Sequence, residues 1–213
     1  MKRTLFILIM LVVAHATNAQ DPFFSTELGS KSNYQILDKN GKVIRYSFMK
    51  VTKANGDLNN GEMTMAYDFL DADKRSVIGN ETLDLTMTIT NGVKTATLNN
   101  MGKALKSRHY MPKDNVASIP ATIAIGDKIE DDMLPIKVGF VKATNKYTNR
   151  EVIGRESVTV PAGTYDCFVV VCIEESNGDK FQVKSWMASG VGTVKQIVCK
   201  ENGEFMHQFE LIK

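Results

Sequence analysis

The chain of 213 residues is poor in the side chains that most chemistry needs, with three histidines, three cysteines and one tryptophan. No HExxH, GxSxG, phosphate-binding glycine-rich loop or CxxC occurs, so the signatures of zinc proteases, serine hydrolases, P-loop nucleotide binding and dithiol redox sites are missing. Gly190-Val191-Gly192 has neither a third glycine nor a following helix, so it does not make a dinucleotide loop. Long apolar runs are also lacking. The one unbroken run, Leu5 to Val13, is well short of the roughly 20 residues that a membrane-spanning helix needs. It follows Lys2 and Arg3 and precedes Thr17, Asn18 and Ala19, which is the order of a secretory signal with a small-residue cleavage site. The expected division is a signal peptide over 1–19, a short lead-in over 20–30 and a single β-rich domain over 31–213, with a periplasmic or secreted location and no transmembrane segment in the mature chain.

Charge of one sign is missing too. Without Lys2 and Arg3 the 26 basic residues fall to 24, against 24 acidic ones. A neutral chain has no overall field to steer it to a polyanion, so no nucleic-acid partner is expected. No cysteine follows Ala19, where a lipid-modified precursor carries one, so the expectation is a free protein and not a lipid-anchored one; a monomer is expected. Cys167 and Cys172 point to opposite faces if they share a strand, which rules out a bridge between them there. With Cys199 they make an odd set, read as small buried hydrophobes.

What the chain does have is Asn-Gly. Six such pairs, at 40–41, 55–56, 60–61, 91–92, 177–178 and 202–203, each signal a hairpin, because both residues tolerate the positive φ of a type I′ turn. Met63, Met65, Tyr67 and Phe69 alternate with polar or small residues, as do Leu83, Leu85, Met87 and Ile89, the pattern of strands half buried on a core. Tyr165 to Ile173 is apolar on both faces and reads as a covered central strand. Lys180 to Met187, Thr193 to Lys200 and Glu204 to Ile212 follow it, and the four make an antiparallel meander. Helix is limited to weak candidates at Met101 to Met111 and Pro22 to Leu28, and Pro112 to Pro120 could carry a crossover between two halves of a sheet. The expected fold is all-β, an antiparallel meander rolled into a barrel-like spiral or half-barrel.

Val158-Thr-Val-Pro161-Ala-Gly163-Thr-Tyr165-Asp-Cys167 and Trp186-Met-Ala-Ser-Gly190-Val-Gly192-Thr-Val-Lys195 together resemble the exported bacterial domain-of-unknown-function family labelled TapB. The resemblance implies an exported protein with a curved antiparallel sheet, and it brings no catalytic residues. The same residues have a physical reading. Pro161 and Gly163 suit the second and fourth positions of a type I turn, and Gly190 and Gly192 suit a tight reversal.

Candidate sites are few. Trp186 plugs the core or rim, or touches a ligand. Met63, Met65 and Met87 are core, or an adaptable apolar contact surface. His109, beside Lys103, Lys106, Arg108 and Lys113, belongs to a solvated basic face or to an anion or headgroup patch. His207 shares a face with Phe205, Phe209 and Leu211 and reads as a core histidine. Asp57 to Gly61 faintly matches a calcium loop, but glycine stands at its fifth position and a hairpin turn is favoured. The acidic group Asp127, Glu130, Asp131 and Asp132 reads as an exposed connection more than as a cation site. No cofactor, metal or catalytic residue is assigned. Three functions compete: a noncatalytic binder of a lipid or other apolar envelope component, a structural or protein-interaction module of the envelope, and a hydrolase built on carboxylates or Cys199.

Overall fold

Alternating apolar and β-branched residues, punctuated by glycine turns, build twelve strands: β1 (Lys31–Leu37), β2 (Val43–Gly56), β3 (Gly61–Asp71), β4 (Leu83–Thr90), β5 (Val93–Asn99), β6 (Lys128–Ile129), β7 (Asp132–Val138), β8 (Val141–Val160), β9 (Gly163–Ser176), β10 (Asp179–Ala188), β11 (Gly192–Lys200) and β12 (Phe205–Leu211). The computed structural model describes residues 27–56, 60–77, 82–90, 93–99, 119–120, 122–138, 141–176 and 178–213. No helix occurs among them. Glu27 and Leu28 lie at a turn, and Met101 to Met111 falls outside the described residues.

All twelve strands belong to one sheet. From β7 the hydrogen-bonded order runs β5, β4, β3, β2, β1, β12, β11, β10, β9, antiparallel except where β5 meets β7. That parallel junction requires the chain to cross over between Asn99 and Asp132, the interval holding the proline-flanked stretch read as a crossover. Both ends of the series fall on the long strand β8. Its first part pairs with β7, and it pairs with β9 from Asn145 to Val160. Asn145 to Tyr147 pair with β7 on one side and β9 on the other. Beyond them β6 and the segment before it reach Glu151 and Val152, and from Ile153 onward no strand among the described residues covers that side. The sheet is thus an all-β, half-barrel-like roll and not a closed barrel.

The Asn-Gly turns fall at five hairpins, not six. Asn55-Gly56 and Asn60-Gly61 flank one connection, between β2 and β3, where Gly56 pairs with Gly61. Gly56 has φ +82°, and a Cβ there would run into the Asn60 carbonyl and the Gly61 backbone, so glycine is needed twice over. Gly190 and Gly192, at φ +72° and +97°, make the expected reversal between β10 and β11.

Register carries the core around the roll. Ile36 stands opposite Phe209, Phe209 opposite Gln196, Gln196 opposite Ser185, Ser185 opposite Val170, and Val170 opposite Val152. A second set joins β3 to β4 through Met63 and Met87, Met65 and Leu85, and Tyr67 and Leu83. Val51, Met65 and Tyr67 have no exposed surface, and Tyr67 donates its hydroxyl to the Met65 sulfur at 3.6 Å. Each such side chain stabilises the fold by roughly 1.5–3 kcal/mol through burial. The central meander strand is covered on both faces as expected, with Cys167, Phe168, Val169 and Val170 all buried.

Candidate functional site

A polar cluster sits where the ends of the roll meet, and a backbone irregularity puts it there. Along β8, Asn145 and Tyr147 are buried and alternate with an exposed Lys146. Plain alternation would next turn Asn149 inward and Arg150 out. Instead, Thr148 pairs with Ile173 and Glu151 with Val171, so Asn149 and Arg150 both stand opposite Cys172. Asn149 takes φ +52°, a left-handed conformation that asparagine tolerates, and its N–H donates to Asp131 Oδ1 at 3.2 Å. This bulge absorbs one residue and brings Arg150 and Val152 to the buried side, where they are 4% and 0% exposed.

Arg150 donates from Nη1 to the Glu130 carbonyl at 2.6 Å. Burial pulls its pKa down, while Asp132, Cys172 and Asp131 favour the charged form; guanidinium remains a cation. On β9, Glu174 is buried opposite Tyr147, and the Ser176 hydroxyl donates to Asn145 Oδ1 at 2.9 Å. Burial, with the Glu174 charge adding to it, pushes the Tyr147 phenol well above its ordinary pKa, so the hydroxyl stays protonated. The same two causes raise Cys172 to about 12. Cys167, 0% exposed, is raised to about 11, chiefly by burial. Both are thiols at neutral pH and not nucleophilic thiolates. Among the described residues no group of three or more His, Cys, Asp or Glu is placed to hold a metal ion. The cluster therefore offers a fixed cation, a buried carboxyl, a neutral phenol, an amide and a hydroxyl. Such groups can orient a polar moiety by hydrogen bonds.

The described sequence candidates stand on other strands, β3 and β10. Met63 and Met65 are buried at 5% and 0% exposure on β3, facing Met87 and Leu85 of β4. Trp186 is buried, and its Nε1 donates to Glu156 Oε2 at 2.7 Å. The Lys184 and Lys195 ammonium groups lie 4.5 and 5.4 Å from its ring centroid, an arrangement that tethers the tryptophan to its neighbours by cation–π contacts. That hydrogen bond, aided by Lys184, holds the Glu156 carboxyl below its ordinary pKa. His109 lies outside the described residues, as does most of the calcium-like loop. His207 packs edge-on to Phe209 at 5.0 Å. The acidic connection is tied into the chain itself: Asp127 accepts from Ala124 N, Asp131 from Asn149 N and Asp132 from Met133 N. Sequence reasoning missed Asn145, Tyr147, Arg150 and Glu174. Their signal was faint, an asparagine able to take positive φ between two inward-facing stretches of one strand.

A family model, described as DUF3108-like, matches residues 27–211. The chain belongs to the DUF3108-like family. That span takes in all twelve described strands. No curated protein matches the chain. Two solved structures share the fold of this DUF3108-like protein. One is a Bacteroides fragilis protein described as exported, with a YmcC-like fold; it is 18% identical, with 91% of this chain and 98% of that one covered and a TM-score of 0.59. The other is a Parabacteroides distasonis protein described as a lipoprotein, 16% identical at the same coverages, with a TM-score of 0.58.

Proposed function

We propose that this protein is an exported, noncatalytic binding protein whose ligand is an amphipathic envelope component such as a lipid. The observation that carries the reading is the two-part character of the inner face: a thioether-rich apolar stretch on β2 to β4, with Met49, Met63, Met65 and Met87, and the polar cluster of Asn145, Tyr147, Arg150 and Glu174 on β8 and β9. Flexible thioethers adapt to varied apolar chains, and fixed polar groups orient a head. These methionines are packed in the face, so a chain must displace side chains to bind. Export is part of the proposal. It rests on the signal-like residues 1–19, on the resemblance of the Val158–Cys167 and Trp186–Lys195 segments to the TapB-labelled family, and on the company of one neighbour described as exported and one described as a lipoprotein. Mass spectrometry of extracts from protein purified under non-denaturing conditions tests it. A stoichiometric lipid supports the reading, and neither lipid nor dye uptake counts decisively against it.

A second reading, an interaction module of the envelope, is favoured by a different observation. Ile125 and Ile153 are 62% and 48% exposed, on the segment before β6 and on β8, beside the uncovered side of β8. Such a rim suits strand addition. A photocrosslinker at Ile153 should trap one specific protein in intact cells, and a diffuse ladder of products would sink this alternative.

A further inference from the structure

The outward face of β1 to β3 carries a group of residues that the inner-face reading leaves unused. On β2, Ser47, Met49 and Val51 turn inward and are buried, so Tyr46, Phe48 and Lys50 turn outward. The two rings lie nearly parallel, with centroids 6.2 Å apart and 28° between their planes. The Lys74 ammonium lies 5.6 Å from the Tyr46 centroid, whereas Phe48 has no cation over it among the described residues. Phe48 is half-buried, and register sets Asn33 of β1 on one side of it and Asp68 of β3 on the other, with Lys50 next along its own strand on the same face.

Nearby on this face, polar groups satisfy one another. Gln35 and Gln208 both donate to Glu210, at 2.9 and 2.7 Å, and the Thr64 and Thr86 hydroxyls pair at 3.1 Å. Around Phe48 they do not. Asp68 Oδ1 is closed off from solvent with no hydrogen-bond partner, a state that costs free energy until a donor is supplied. Turning χ2 exchanges the two carboxylate oxygens, so a donor arriving from outside can relieve it. The Asn33 amide and the Lys50 ammonium have no hydrogen bond or ion pair among the described residues. Register also sets Lys31 directly opposite Lys50, both exposed and neither ion-paired among the described residues, and like charges so placed are unfavourable unless an anion is near.

We infer that this outward face binds an acidic oligosaccharide: Phe48 takes the C–H face of a sugar ring, Asp68 and Asn33 take its hydroxyls, and Lys31 and Lys50 take a carboxylate of the chain. The mixture of groups selects that ligand. A plain anion is repelled by Asp68, a neutral glycan has no use for the lysine pair, and an apolar ligand strands both. An open sheet face also suits a chain of sugars, where a small molecule needs a concave pocket. The site stands whether or not the inner face holds an amphiphile.

The test is calorimetric titration with uronate hexasaccharides of three kinds, galacturonate, mannuronate and the glucuronate-containing hyaluronan, each beside its methyl ester. At least one acid should bind, about tenfold more tightly than its ester. Lys31→Gln with Lys50→Gln should abolish that preference. Asp68→Asn should weaken binding of the acid by at least about threefold, and Phe48→Leu by about tenfold. If Phe48→Leu does not fold, the Asp68 and lysine variants still decide. The sign at Asp68 is the sharpest point, because removing a carboxylate from a mere charge patch would tighten an anion. Unchanged or tighter binding by Asp68→Asn therefore overturns the glycan site. Ester bound as well as acid overturns the role of the lysines, and an equal loss in Lys180→Gln, exposed on β10, overturns the location. No binding of any of the three acids at about 1 mM overturns the inference as a whole.

Discussion

Replacing Arg150 by alanine tests whether the bulge on β8 holds a structural keystone. The change removes a charge-assisted hydrogen bond to the Glu130 carbonyl, worth about 1.5–3 kcal/mol. It also removes two buried methylenes at about 0.8 kcal/mol each. Part of this is returned, because the guanidinium no longer has to be held away from water, the same desolvation that lowers its pKa. The net expectation is a loss of about 2–4 kcal/mol. With a urea m-value of about 2–3 kcal/mol per molar for a chain of this size, the unfolding midpoint should fall by about 1 M. Trp186, the single tryptophan, provides the fluorescence signal. Arg150→Met keeps most of the stem and should recover about half the loss. Lys146→Ala is the control, because its ion pair with Glu175 is 3.6 Å long between half-exposed side chains and is worth under about 1 kcal/mol. A midpoint for Arg150→Ala within about 0.2 M of wild type would refute the assignment.

Met65→Ala empties a fully buried position and should cost about 2–5 kcal/mol in the same urea titration, whereas Leu28→Ser, at 70% exposure, should stay within about 0.5 kcal/mol. Glu156 has a folded pKa below its ordinary value, so the stability it contributes is present above the ordinary carboxylate range and is lost as pH falls through the folded value. Trp186 emission should therefore change in acid below the ordinary carboxylate range, and a Glu156→Gln variant that kept the same transition would show that another group causes it. Maleimide labelling of native protein should modify Cys199 first, with Cys167 and Cys172 reacting only on unfolding, because both are buried and held protonated; equal rates at all three positions would contradict the burial described.

Local signals carried much of the fold. Alternation over Met63 to Phe69 and Leu83 to Ile89, and the turns at Pro161 and Gly190, are written within a few residues of sequence, and the strands and reversals follow from them. The doubled Asn-Gly around Gly56 misled, because turn chemistry marks where a chain can reverse and not how many reversals occur. Less of the candidate site was legible. Trp186, Met63 and Met65 stand out by residue type, and the structure places all three in buried packing. Arg150 and Glu174 look like surface residues of polar strands. The burial of Arg150 depends on a one-residue slip at Asn149, and that of Glu174 on β8 flanking β9, and both are set by pairing between strands and not by local sequence.

The pairing of β1 with β12 has a consequence for how the fold is reached. Gln35 and Glu210 are 175 positions apart, yet they lie side by side. The β9 to β12 meander forms from neighbours and can assemble early, whereas β1 has its second flanking strand only once the last has been made. Loop closure of that span is entropically slow, so folding of the whole sheet should lag well behind synthesis of its first strands. During that lag the early strands keep open edges, and a polypeptide in this state is still loose enough to be threaded through a narrow channel before its shape is set.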